Sequence, residues 1–307
     1  MLYPKTKRRL PTAKDASGFT LVELLVVIGI IAVLIGILLP TLGRARQTAN
    51  SVKCMANLRQ IGAALQIYAG ANKGVMPYGF VFKGETIPGD PVAWTGESAD
   101  WTTLLVSVMK KTGIGYDTQD KVGSSDQGLR AVFSCPEVSR TVTVQSFVTH
   151  YSCHPRLMPD LGSTDWYKGS PLTGLKPYRI AKVKRSTEIA VIFDGTVNNS
   201  NYGAWAVAYA IDKLRKDKKP YLTDAYSQVA GLDGGQPVDL AADPTVGGTA
   251  ADINTDSAKN PGNFRFRHSN ETKANALMMD GHVQSFTYNK QTKTSDLLRR
   301  NIFVNPS

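Results

Sequence analysis

Residues 18–39 read GFTLVELLVVIGIIAVLIGILL, and this stretch decides how the rest of the chain is to be read. As a helix, the 21 residues from position 19 to position 39 span about 31 Å, the thickness of a bilayer's hydrocarbon core. Between Asp15 and Arg44 the only charge is Glu23. The five basic residues Lys5, Lys7, Arg8, Arg9 and Lys14, against Asp15 alone, concentrate +4 of the chain's +11 ahead of the apolar run. That asymmetry predicts a cytoplasmic N-terminus with the remainder sent across the membrane. A cleaved secretory signal is the first competitor, but it has a shorter apolar core followed by a small-residue cleavage site. Here residues 40–47 are PTLGRARQ, which lacks that pattern, so the apolar segment is expected to stay attached.

Working outward, two residues set this segment apart from a plain anchor. Gly18 marks the junction between basic leader and apolar run, and Glu23 lies inside the run. A carboxylate at mid-bilayer depth costs roughly 2.5–3.5 kcal/mol on insertion scales, less near the interface. A purely structural reading places Glu23 at interface depth, favouring the helix N-terminus through the dipole. Downstream, residues 44–69 are more polar but keep a helical period. Val52, Met55, Leu58, Ile61, Leu65 and Tyr68 form an apolar stripe, read as packing against a head domain. Gly70, Asn72 and Gly74 supply stop signals.

The hexapeptide GFTLVE, residues 18–23, resembles the processing site of type IV pilins and type II secretion pseudopilins. The resemblance implies cleavage after Gly18 by a prepilin peptidase, methylation of the new terminal Phe19, and pairing of Glu23 with a neighbouring subunit's terminal amine. Pro40 matches a proline that often kinks pilin helices. Partners implied are other pilin-like subunits and inner-membrane components of a secretion machine, with a single-pass protein whose head is periplasmic or extracellular. The run NLRQIGAALQIYAGANKGVMPY, residues 57–78, is similar to the large pilin-like families of the planctomycete type. Those families often end with a histidine followed by an Asp-Gly turn, and RHSNETKANALMMDGHVQSF, residues 267–286, looks like that element. Eleven residues separate His268 from Asp280, a wider spacing than the commonest form.

The expected architecture is therefore α+β and pilin-like: a leader at 1–18, a long helix at 19–70, and a head at 71–307 built mainly on an antiparallel sheet. Residues 276–279 read as a short strand, Asp280-Gly281 as a two-residue primed turn, and Val283, Phe286 and Tyr288 as the returning strand. EIAVIFDGT, residues 188–196, reads as a second such unit ending in Asp194-Gly195. Trp94, Trp101 and Trp166 are expected at sheet edges or under loops. Residues 197–262 form a long insertion with one helix over 204–215.

Candidate chemistry is sparse. His268, Asp280 and His282 form a candidate metal set, with Asp194 nearby if the two strand units are adjacent, although turn chemistry alone accounts for Asp280. Asp233, Asp239, Asp243, Asp252 and Asp256 offer oxygens for calcium but lack EF-hand spacing. Cys135 and Cys153 are a candidate disulfide, since the head would face an oxidising compartment. His150, Cys153 and His154 with Cys135 carry zinc-type donors, yet the alternating run TVTVQSFVTHY, residues 141–151, separates them onto opposite faces. Cys54 reads as a buried apolar residue. No G-x-S-x-G, H-E-x-x-H or phosphate-cradling glycine loop occurs, so no enzymatic activity is expected. The basic stretch KPYRIAKVKR, residues 176–185, reads as a solvated strand face rather than a nucleic-acid contact. Two functions follow: a structural filament subunit, or a membrane-anchored ligand- or glycan-binding module using Trp94, Trp101, Trp166 and Trp205.

Overall fold

The computed structural model describes residues 20–81, 99–112, 132–138, 149–154, 157–161, 176–183, 186–197, 254, 265–291 and 294–295. The chain divides into two compact units, Met1–Arg46 and Gln47–Ser307. The first contains the start of helix α1 (Leu21–Ala71). Thr20 caps it: the Glu23 N–H donates to Thr20 Oγ1 at 3.2 Å, while the Thr20 N–H and hydroxyl both donate to Glu23 Oε2, at 2.9 and 2.8 Å. This reciprocal Thr-x-x-Glu box satisfies backbone donors that a helix start otherwise leaves free. Large apolar side chains from Leu21 to Leu42 are exposed throughout, and the helix is long and apolar enough to cross a membrane. Pro40 lies inside α1 and has no N–H to give the carbonyl one turn back.

In the second unit α1 buries one face: Cys54, Asn57, Leu58, Ile61, Gly62, Ala64, Leu65, Tyr68 and Ala69. The expected stripe is shifted at its start, because Val52 is exposed and Met55 only partly covered. The helix closes at Lys73, whose φ of 55° is left-handed, and the Gly74 N–H reaches back to the Ala69 carbonyl at 2.7 Å. That six-to-one bond is a Schellman closure, placed three residues beyond the first glycine stop signal.

Against this face lies a five-stranded antiparallel sheet in the order β3 (Tyr151–Cys153), β5 (Ala190–Asp194), β6 (Lys273–Met278), β7 (Val283–Asn289), β8 (Thr294–Ser295). β5 is buried along its whole length, and β6 is buried after Lys273, so both read as continuous core strands rather than alternating ones. At Gly62 an added Cβ would lie 2.7 Å from Leu277 Cδ1, so the absence of a side chain lets the helix approach the sheet closely. A smaller sheet, in the order β2 (Ala99–Asp100), β1 (Phe80–Val81), β4 (Asp160–Leu161), pairs β1 with β2 antiparallel and with β4 parallel. Asp100 Oδ1 accepts the Thr103 N–H at 3.0 Å and so caps α2 (Trp101–Thr112). Thus the long-helix, antiparallel-head α+β class holds.

Three local expectations change. The β6–β7 turn has three residues, not two: Gly281 N–H donates to the Met278 carbonyl at 2.9 Å, Met278 N–H to the His282 carbonyl at 2.8 Å, and Gly281 takes φ 96°. A type I turn closed by a left-handed glycine is the standard three-residue hairpin. Residues 176–183 are not a strand face; Ile180–Lys182 is a single 3-10 turn, held by Lys182 N–H to the Arg179 carbonyl at 2.9 Å. Trp101 is fully buried, its ring edge-on to Phe133 with centroids 5.7 Å apart, which removes it from any exposed sugar-binding set. Trp94, Trp166, Trp205, the helix expected over 204–215 and the five loop aspartates lie outside the described residues, as do Gly18 and Phe19.

Candidate functional site

Adjacent strands β3, β5 and β6 bring three polar positions into one row. Tyr151 pairs with Asp194 across β3 and β5, and the Asn275 backbone N–H of β6 donates to Asp194 Oδ2 at 2.7 Å. Asp194 is fully buried at the end of β5, where an unpaired carboxylate would be costly. Its partner is His268, also fully buried, with Nε2 at 3.1 Å from Asp194 Oδ2. The other ring nitrogen, Nδ1, is 2.9 Å from Glu137 Oε2.

The backbone that delivers His268 is unusual. In the turn α3 (His268–Glu271), Ser269, Asn270 and Glu271 have φ of 52°, 58° and 62°. Left-handed geometry costs roughly 1–2 kcal/mol per L-residue, so surrounding contacts must hold the turn. Thr272 N–H donates to the His268 carbonyl at 3.0 Å and Thr272 Oγ1 to the Ser269 carbonyl at 2.7 Å. Arg265 anchors the far side on Glu271 Oε1 at 2.8 Å, and the Arg267 guanidinium donates to the Gly195 carbonyl.

Two cysteines complete the cluster. Cys54 from α1 and Cys135 from segment 132–138 have their Sγ atoms 2.6 Å apart, and Cys135 Sγ is 3.8 Å from His268 Nε2. Donor atoms of Cys54, Cys135 and His268 all lie within 4.8 Å of one another. Asn57, one turn after Cys54, donates to the Ser134 carbonyl at 3.1 Å, and His150 Nδ1 accepts the Cys135 N–H at 2.9 Å. These bonds fix segment 132–138 to both the helix and β3.

The electrostatics follow from this packing. Burial alone would push the His268 imidazolium down, but the Asp194 carboxylate, aided by Cys135 and Glu137, outweighs it and holds the ring protonated, pushed up to about 12. Burial raises Cys135, yet hydrogen bonding from Cys54 and His268 overcomes it and holds that thiol down at about 6. Cys54 moves the opposite way, raised by its bond to Cys135 and by burial. The two cysteine sulfurs, the His268 ring and Asp194 thus share one buried pocket, with Glu137 at its edge. His268 Nε2 is committed to Asp194, and Nδ1 lies 2.9 Å from Glu137 Oε2.

The sequence-derived metal set does not assemble. His268 precedes β6 and Asp280 follows it, so the length of a six-residue strand, about 20 Å, separates them. Asp280 and His282 instead pair on the exposed hairpin, with Asp280 Oδ1 2.6 Å from His282 Nδ1. The expected neighbour Asp194 does meet His268. Nor are Cys135 and Cys153 together: Cys153 Sγ donates to the Met158 carbonyl at 3.7 Å, while Cys135 faces Cys54. The zinc-type donors are likewise spent locally, His150 on Cys135 N–H and His154 Nδ1 on Leu157 N–H at 3.3 Å. Glu137 and the Cys54–Cys135 proximity were not foreseen. Cys54, Cys135, Asp194 and His268 fall in four distant segments, and no local spacing signals their convergence.

Residues 43–292 match the family described as "Protein of unknown function (DUF1559)". The chain belongs to the DUF1559 family. Residues 13–39 of this DUF1559 chain match the prokaryotic N-terminal methylation motif, which spans the Gly18–Glu23 junction. It is also 44% identical over 55 residues to the type IV wide pilus major component PilA4 of Thermus thermophilus. That likeness covers 18% of this chain and 42% of the relative's length. No solved structure matches the chain. The DUF1559 chain therefore joins a type IV pilin-like, membrane-anchoring N-terminus to a DUF1559 head.

Proposed function

We propose that the protein is a structural subunit of a type II secretion-like pseudopilus or a related envelope filament, assembled through α1. The observation that carries this reading is the apolar first unit of α1, exposed along its whole length and preceded by the methylation motif. Prepilin peptidase cuts between Gly18 and Phe19, Phe19 is methylated, and the head lies on the outer side of the inner membrane, opposite the basic leader. Glu23 then has two tasks. Its Oε2 takes both Thr20 donors, and its second oxygen is offered to the terminal amine of a neighbouring subunit, which lowers the cost of a carboxylate in lipid. Enzymatic chemistry has no place in this reading. The anchored glycan-binding alternative loses Trp101, which is buried.

The test is mass spectrometry of the native protein together with site-directed cross-linking in the envelope. A methylated Phe19 terminus and cross-links between first-unit helices of different subunits are the expected results. An intact leader in cells that carry the peptidase, or a chain that never cross-links to pilin-like neighbours, would overturn the reading.

A further inference from the structure

We propose that Cys54 and Cys135 are a disulfide pair that fastens the second half of α1 to segment 132–138 of the head. Their Sγ atoms sit 2.6 Å apart, although the two cysteines are 81 positions apart in sequence. Unbonded heavy atoms rest at about 3.5–4.0 Å, so this is no ordinary packing contact. Shared metal coordination does not fit either. Two thiolates each about 2.3 Å from a tetrahedral zinc stand roughly 3.8 Å from one another. The third donor of the group, His268, has its Nε2 at 3.1 Å from Asp194 Oδ2 rather than turned to the sulfurs, the nearer of which is 3.8 Å away. Cys153 is excluded as a partner because its sulfur is engaged at the Met158 carbonyl. Asn57 and His150 hold Ser134 and Cys135 in register with the helix, so the two sulfurs meet through backbone anchors rather than chance rotamers.

Cys54 is fully buried and Cys135 is 1% exposed, so the bond must form while the head is closing. The co-reactant is a disulfide of the exported compartment, either a dithiol oxidase or oxidised glutathione. The Cys135 thiolate attacks one of its sulfurs and expels a thiolate. The Cys54 thiolate then attacks the Cys135 sulfur of the mixed disulfide and expels the second. Two cysteine thiols lose two protons and two electrons, and one disulfide becomes two thiols.

The inference rests on the head being exported, and the experiment separates the two claims. Full-length chain in detergent is refolded with oxidised glutathione, denatured with alkylating agent, digested and mapped, in parallel with chain taken directly from envelopes. The expected result in both is a Cys54–Cys135 linked peptide and one alkylated thiol, Cys153. Cys153→Ser keeps the link and leaves no thiol. Three alkylated cysteines after glutathione refolding, a link to Cys153, or one zinc per chain with three thiols would overturn the pairing. A link formed with glutathione but absent from envelope material would overturn the exported head, not the pairing.

Discussion

Leu34 and Leu58 are leucines of one helix, yet Leu34 is 53% exposed and Leu58 fully buried. From Leu24 to Leu39 α1 is apolar on every side, which suits lipid or other apolar helices as its surroundings. The second unit buries a single face and puts Lys53, Arg59 and Gln60 in water, as a globular head requires. One helix thus carries two stability problems that mutation can separate.

The largest expected effect is at the buried cluster. His268→Leu leaves Asp194 and Glu137 without their cation, which costs about 3–5 kcal/mol; denaturant unfolding of the detergent-solubilised chain, followed by far-UV circular dichroism, measures it. Next, Leu58→Ala is expected to cost about 2–5 kcal/mol in the same assay. Leu34→Ala should leave head unfolding unchanged, and equal losses at the two sites would break the distinction drawn here. Thr20→Ala is a smaller change, about 1 kcal/mol, because it removes only the cap; amide exchange at the first turn of α1 reads it. A Glu23→Ala variant that loses the cap and still cross-links normally in the envelope would remove the carboxylate from assembly.

A pH profile sharpens the contrast. His268 is raised from its ordinary 6.5 to about 12 in the folded chain. A group raised on folding binds more protons in the native state, so its contribution is complete below about pH 6.5 and is lost as pH rises toward 12. Thermal unfolding of the head is therefore expected to fall between pH 7 and pH 10, and His268→Gln should flatten that slope. Charge changes in the first unit should not alter it.

The same division governs what could be read from sequence. The leader, the apolar run and the amphipathic face are local patterns, and periodicity exposes them. Residues 180–183 show why alternation alone misleads: Ile180-Ala181-Lys182-Val183 looks two-fold, but 3-10 hydrogen bonds from Lys182 and Val183 tighten it into a turn. The hairpin was legible in place but not in closure. Met279 is only 2% exposed and its N–H donates to the Ile189 carbonyl at 2.9 Å, so it belongs to the core as well as to the loop. Of the cluster, the meeting of Asp194 with His268 was legible from the two strand units that carry them, whereas Glu137 and the two cysteines were not, because they arrive by packing between distant segments. Such packing leaves no mark in spacing.

The Thr20–Glu23 box carries one last implication. Both halves of that cap come from the helix's own opening turn, Thr20 and Glu23. Nucleating a helix afresh is unfavourable by a factor of about a thousand. If the leader is removed ahead of Thr20, as proposed above, the cap that holds this first turn stays with the mature chain.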